Sequence, residues 1–435
     1  MSPATRSLDM TDVVVAGGGL AGLVAARHLA DEGLAVTLFE RDDRLGGRVH
    51  SDHQNGFTFD RGFQVVFSSY PAVVAELDRE ALSLRPFAPG ATLARPGRRT
   101  TVADPFADLV AGVRTLFNRD ITVGDKLRVL RLRQELLRAS AEELLDNDGQ
   151  TIESYLEARG FSERFRERFA APFYGGITLD RSLSSSRAVF EYTFKMLAQG
   201  TAAVPAAGMG AIPDQLAARA QTSGVTVETG TPVESVTPER QERGVTVETP
   251  AETVGADAAV VATDPESARE LTGCERIPTA GRGCVTQYFS LPEHQQLDTG
   301  NRLLLNAADG RPNQVAVLSA AAPEYAPDGS HLLSATFLGE QSADNGSLAA
   351  EVAESLAAWY PEHSVAGLEL LRTDRIEFAQ FSQPPGFRSD LPDVDEPAGQ
   401  VYLAGDYTEW SAIQGAMESG QRAARSVVET RSPPD

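Results

Sequence analysis

The 435-residue sequence predicts an α/β protein built on one nucleotide-binding βαβ unit, with a second region of mixed helix and strand inserted into it. Three observations predict this. A short β-branched run, Val13–Val15, leads into a glycine-rich turn. An apolar helical pattern follows that turn and gives way to a second strand closed by Glu40. Glycine turns and strand patterns then return near residue 205 and again near residue 401. The chain is two to three times the usual single-domain size, long enough for two cores or for one core with a large insertion.

Val13, Val14 and Val15 suit a strand buried on both faces. Gly17, Gly19 and Gly22 then form G-x-G-x-x-G. In such a turn the first glycine permits the tight bend, the second lets backbone approach a pyrophosphate, and the third lets helix and strand close together. Leu20 and Ala21 open the helix, whose positive N-terminal end faces the phosphates. Leu20, Leu23, Val24 and Leu29 mark its apolar face, Gly33 ends it, and Leu34–Phe39 gives the second strand. Glu40, with Arg41 beside it, stands about 20 residues past the glycines. A carboxylate there accepts hydrogen bonds from both ribose hydroxyls and repels a 2′-phosphate, so the Rossmann-like unit fits FAD or NAD and not NADP.

The continuation, Arg44-Leu45-Gly46-Gly47-Arg48, resembles the second glycine motif of the flavin amine oxidase, phytoene desaturase and protoporphyrinogen oxidase superfamily. That resemblance implies FAD, with backbone at Gly47 and the Arg48 side chain clasping the diphosphate and the flavin end. Phe59-Asp60-Arg61-Gly62-Phe63-Gln64-Val65 is similar to the superfamily's flavin-facing turn, where Gly62 lets backbone approach the ring beside Phe63. Taken alone, these residues also fit an ordinary hairpin.

From Pro205 to Thr263 the sequence predicts a second dinucleotide-domain segment, with a turn at Gly208–Gly210, a helix Ile212–Gln221 and a strand Val225–Glu228. Thr231–Val236 resembles the pattern that sets a valine backbone against the adenine, which assigns Val233; as plain sequence it also fits a strand in a small meander. Val245–Glu248 and Ala258–Ala262 rebuild sheet. Val401-Tyr402-Leu403-Ala404-Gly405-Asp406 and Ile413-Gln414-Gly415-Ala416-Met417-Glu418-Ser419-Gly420 resemble the superfamily's closing motif, most closely its carotenoid-desaturase version. The resemblance implies that Gly405 and Asp406 meet the ribityl or diphosphate region. It also implies that the helix opened by Ile413 aims its N-terminus at the flavin, favouring electron density on the N1–C2=O side.

The resemblance therefore divides the chain into an FAD-binding domain of the flavin amine oxidase type in three parts, residues 1–85, 205–275 and 371–435. An α+β substrate domain is inserted as 86–204 and 276–370.

Amine oxidases of the superfamily resemble one another in an aromatic cage, a lysine near the flavin and, in some, a cysteine tether. Here Ala412 stands where a cage tyrosine is expected, Cys284–Phe289 contains no lysine, and no cysteine lies within Tyr407–Gly420. The expected substrate is instead an apolar, isoprenoid or carotenoid-like molecule. A hydride passes to flavin N5, a proton leaves the adjacent carbon, and quinone or oxygen reoxidises the flavin. No catalytic side chain is assigned. An amine oxidase with an unusual site, a polyene isomerase and a non-catalytic flavoprotein remain as alternatives.

Asp and Glu outnumber Lys and Arg 61 to 39, a net charge of −22, and the only lysines are Lys126 and Lys195. Such a surface repels nucleic acid and suits a salt-rich cytoplasm. Cys274 and Cys284 read as free thiols, the six histidines show no metal spacing, and no signal sequence or membrane span is evident, so a cytoplasmic protein without a metal is expected. Lys126–Arg138 concentrates five basic residues, with Leu127, Leu130 and Leu137 on one helical face. Such a helix either lies on an anionic membrane or spends its basic face on local salt bridges. Phe173–Ile177 and Phe190–Met196 supply bulk for a core or for the wall of an elongated pocket.

Overall fold

The structure is a computed structural model that describes residues 11–102, 121–239 and 244–431. Its first sheet has five parallel strands in the spatial order Thr226–Glu228, Val36–Phe39, Val13–Ala16, Ala258–Val261, Val401–Leu403. All five strands come from the N-terminal, middle and C-terminal segments that the sequence assigns to one unit, and the fully buried VVVA, VTLF and AAVV runs explain why. A strand covered on both faces has no polar side to show. The helices Leu20–Asp31 and Ile413–Arg431 lie against each other beside the sheet. Their approach depends on Gly420, where a Cβ would stand 2.4 Å from the Ala21 carbonyl oxygen. A three-stranded meander, Ser235–Pro238, Val245–Glu248 and Thr253–Ala256, flanks the unit.

The second region is a seven-stranded sheet in the order Glu369–Phe381, Gly281–Pro292, Ser330–Leu338, Gln314–Val317, Leu303–Asn306, Ala91–Arg95, Arg98–Val102. Neighbours are antiparallel except Leu303–Asn306 with Ala91–Arg95. Helices between residues 123 and 199 form a separate apolar layer around Leu132, Leu136, Tyr155, Phe165 and Phe190. Val66–Phe67, Ala202–Pro205 and Leu84–Pro86 form a small sheet where the chain passes between the two regions.

Element ends differ from the sequence reading by one or two residues, with strands at Val36 and Thr226 and a helix over Ala211–Thr222. Residues 231–234 are irregular, and the strand there begins at Ser235. Strand Glu369–Phe381 pairs with Gly281–Pro292 and so runs across residue 371, where the sequence reading places the return to the dinucleotide unit. The helix Val123–Arg138 forms, but its buried side carries Asp125, Leu132 and Leu136. Leu127, on the face the sequence groups with Leu130 and Leu137, is 63% exposed.

Candidate active site

One cavity of about 1710 Å³ runs from the glycine turns of the parallel sheet into the helical layer of the second region. This exceeds the roughly 300–1,000 Å³ of an ordinary small-molecule site, leaving room for two molecules end to end. Gly17, Gly19, Leu20, Ala21, Glu40, Arg41, Gly47, Arg48, Gly62, Phe63, Val233, Gly405, Asp406 and Ile413 all line it. Gly22 does not: a Cβ there would lie 1.9 Å from the Gly17 carbonyl oxygen, so its place is in closing the turn against the helix.

The nucleotide end is built by two interlocked turns. Gly17 holds a φ of +109°, and Gly19 caps the first helix without any side-chain acceptor for the helix amides. A Cβ added to Gly19 would meet nothing within 4 Å, so open space lies before the helix N-terminus. The second glycine motif lies against the first: Gly46 N–H donates to Gly18 O at 2.9 Å, and Gly46 takes a φ of +113°. Glu40, buried at the end of its strand, accepts from Gly18 N–H at 2.6 Å and from Asp42 N–H at 2.9 Å. Thr231 N–H donates to Glu40 O at 2.8 Å and brings the segment holding Val233 beside it. Arg41 is 59% exposed and pairs with Asp264 at 3.3 Å across the rim.

At the cavity's centre Arg48 donates to Asp406 Oδ1 at 2.6 Å and to Ala379 O at 3.2 Å. Burial opposes the guanidinium charge, but buried Asp406 outweighs it and holds Arg48 above its ordinary value. Ser411 donates to the other Asp406 oxygen at 2.7 Å. Gly405 N–H donates to Ser419 Oγ at 2.8 Å, and a Cβ on Gly405 would strike the Tyr407 ring. Gly415 leaves space for the Trp410 carbonyl, 2.1 Å from where a Cβ would stand. The glycines and serine of the closing motif thus fix the turn that presents Asp406 and the N-terminus at Ile413.

Phe57–Asp60 does form a hairpin with Ser51–Gln54, and the following turn, with Gly62 at a φ of +74°, faces the cavity. The buried Tyr288 hydroxyl donates to Asp60 O at 2.6 Å and to Gly62 O at 3.0 Å from behind. An ionic chain supports the same turn: Arg44 and Arg372 donate to Asp52 at 2.7 and 2.6 Å, and Arg372 donates to Asp374 at 2.7 Å. The hydrogen bond from Arg44 lowers Asp52 to about 2, against the opposing effect of burial, with Arg372 adding to it.

Beyond Arg48 the walls become apolar, with Phe161, Phe165, Phe169, Phe173, Ile177 and Phe194 among the lining residues. The segments Phe173–Ile177 and Phe190–Met196 therefore serve as core and as cavity wall together. Lys195 lies away from the cavity and donates to the carbonyls of Leu136, Leu137 and Ala139 at 3.1, 3.4 and 2.6 Å, closing the C-terminal end of helix Val123–Arg138. Lys126 does reach the cavity. Cys284 and Ala412 line it too; burial pushes the free Cys284 thiol up to about 11.

Sequence reasoning missed the Arg48–Asp406 pair, whose members are 358 positions apart. It also missed Tyr288 and the cluster in which Trp410 meets Tyr70 and Tyr192 edge to ring at 6.1 and 5.0 Å. The four-residue spacing of Phe161, Phe165, Phe169 and Phe173 signals an apolar stripe, without distinguishing core from cavity wall.

The residues fit FAD. A buried carboxylate stands where the ribose is expected, uncapped helix amides open onto free space, a guanidinium stands beside two glycine turns, and a positive-φ turn faces the same cavity.

Comparison with known proteins agrees. Residues 20–428 match the family described as "Flavin containing amine oxidoreductase". Polyamine oxidase 5 of Oryza sativa is 52% identical over 50 residues, which is 12% of this chain and 10% of that protein. Carotenoid 3,4-desaturase of Haloarcula japonica is 26% identical over 272 residues, 56% of this chain and 53% of that one. The chain thus spans about half or less of these curated relatives' lengths. The crystal structure of an oxidoreductase from Methanosarcina mazei superposes with a TM-score of 0.71 at 19% identity, over 97% of this chain and all of that one, which shows a shared fold. The chain belongs to the flavin containing amine oxidoreductase family.

Proposed function

We propose that the protein dehydrogenates an extended, apolar, isoprenoid or carotenoid-like substrate. The observation that carries this reading is the apolar arm of the cavity, which continues from the flavin end between the seven-stranded sheet and the helices and is walled by aromatic rings. The part-length similarity to a carotenoid 3,4-desaturase supports it.

In this reading Glu40 takes the ribose hydroxyls, the amides at Gly19–Ala21 and Gly47 take the diphosphate with Arg48, and Val233 lies along the adenine. The turn Gly62–Phe63 and the N-terminus at Ile413 would hold the ring, and Asp406 neutralises Arg48 in the same cavity. The chain is then divided as the sequence analysis expects, with strand Glu369–Phe381 added to the substrate region. Bound there, FAD supplies the acceptor for a hydride from a substrate carbon, and quinone or oxygen takes the electrons onward. The protein binds and orients the hydrocarbon and keeps water from it with apolar walls.

A second reading, amine oxidation, is favoured by the buried aromatic residues Tyr70, Tyr407 and Trp410, which line the cavity with Ala412 and Ile413. Anaerobic titration separates the two: a polyene such as phytoene should bleach the flavin absorbance, and simple amines should leave it. Bleaching by amines alone would establish the second reading instead.

Among the described residues no helix is long and apolar enough to cross a membrane. We propose a peripheral contact at the helix Val123–Arg138, whose outer side carries Val123 and Leu127, 69% and 63% exposed, beside Arg128 and Arg131. The protein should float with anionic vesicles and not with neutral ones. Sedimentation away from both would remove this contact from the account.

A further inference from the structure

Phe161, Phe165, Phe169 and Phe173 recur every four residues and all four line the cavity. Their successive ring centroids are 4.6, 5.3 and 5.4 Å apart, and the first and last pairs are stacked, with planes 25° and 13° from parallel. Phe161 precedes the helix, which starts at Glu163; four residues of an ideal α-helix overshoot a full turn by about 40°, so the two helical steps from Phe165 to Phe173 would swing the last ring away from the first. The helix instead contains a π-helical turn, Arg166–Ala170, at the middle of the ladder. Wider turns of this kind recur at functional sites, and here the unwinding offsets the drift.

The ladder has a fixed direction. Beyond its inner end Gln380 donates to Ile177 O at 3.0 Å, one residue from the Ala379 carbonyl that receives Arg48. At its outer end Ser162 donates through its amide and hydroxyl to Asp125, at 2.8 and 2.6 Å, on the helix whose next residue, Lys126, also lines the cavity. Steps of 4.6, 5.3 and 5.4 Å give a rail no longer than about 15 Å leading to the flavin end.

Phe169 and Phe173 are only half-buried, so ring surface remains open to whatever occupies the cavity. Aliphatic walls would bind any chain of matching length by area alone, whereas aligned aromatic rings add a term for a partner with its own π-electrons. We propose that this phenylalanine rail is the selectivity element of the site, discriminating a planar conjugated chain from a saturated chain of the same carbon skeleton. The proposal rests on the reading of the arm as the substrate site and adds which residues choose the substrate and by what property.

The test uses the holoprotein with all-trans-lycopene and its fully hydrogenated analogue, lycopane, in detergent. Binding is read from the red shift of the lycopene absorbance, and lycopane from its ability to displace lycopene. The wild-type protein should prefer lycopene by about tenfold or more, and the double variant Phe169→Leu/Phe173→Leu should lose about tenfold in lycopene affinity while holding lycopane and FAD unchanged. If the double variant fails to fold, Phe169→Leu should lower the preference and Phe169→Tyr, which keeps the ring, should retain it. Equal affinity for both hydrocarbons, or full selectivity in the leucine variants, would overturn the rail. Flavin bleaching in the same cuvette reports separately on dehydrogenation: selective binding without bleaching supports the rail and counts against the proposed reaction, and bleaching without selectivity does the reverse.

Discussion

Replacing Arg48 by methionine is expected to abolish flavin retention and to lower stability by about 3 kcal/mol. The substitution leaves Asp406, 3% exposed, as a carboxylate without its cation at the junction of three distant chain segments. Removing one partner of a buried pair costs about 3–5 kcal/mol, and the lower end applies because the Arg48 side chain keeps 35% exposure through the cavity. The double variant Arg48→Met/Asp406→Asn should recover most of the melting temperature and none of the flavin, since the buried charge is gone but the diphosphate clamp is not restored. Thermal unfolding followed beside flavin absorbance separates the two effects. Recovery of flavin in the double variant would mean that Arg48 does not hold the cofactor.

Gly22→Ala and Gly19→Ala should fail in different ways, although both belong to one motif. A Cβ at Gly22 lies 1.9 Å from Gly17 O and 3.2 Å from the Ala262 Cβ, both in the fixed frame of the sheet. The turn must move, at about 3 kcal/mol, and the flavin goes with it. A Cβ at Gly19 strikes nothing in the protein and projects into the space before the helix amides. That variant should melt near the wild-type temperature and lose FAD affinity by steric exclusion of the pyrophosphate. A Gly22→Ala protein with normal stability would remove the close helix-to-strand contact from the account.

The dinucleotide unit was legible because its requirements are local. Val13–Val15 has no polar side, Gly17 needs a positive φ, and Glu40 must end the second strand, so each demand shows within about 30 residues. The closing segment was legible for the same reason: Gly405, Gly415 and Gly420 each make room for a specific neighbour. What joins these segments was not legible. Nothing near Arg48 announces Asp406, and nothing in Gly281–Pro292 announces that Tyr288 holds the turn at Gly62, because both contacts exist only after the two regions close on each other. Helix Val123–Arg138 shows the same limit from the other side. Its composition was read correctly, but its covered face was chosen by helix Arg187–Gln199, which supplies Lys195 to its C-terminal carbonyls. The phenylalanine spacing lay in plain view, yet periodicity alone cannot tell a core stripe from a cavity wall.

The most direct test of the central claim is the absorbance spectrum and flavin content of the purified protein, before and after denaturation. The account predicts a yellow protein with about one FAD per chain, released intact on unfolding because no cysteine lies within Tyr407–Gly420, where a tether is expected. A colourless protein that takes up no FAD on reconstitution would contradict the assignment of the cavity from Glu40 to Asp406.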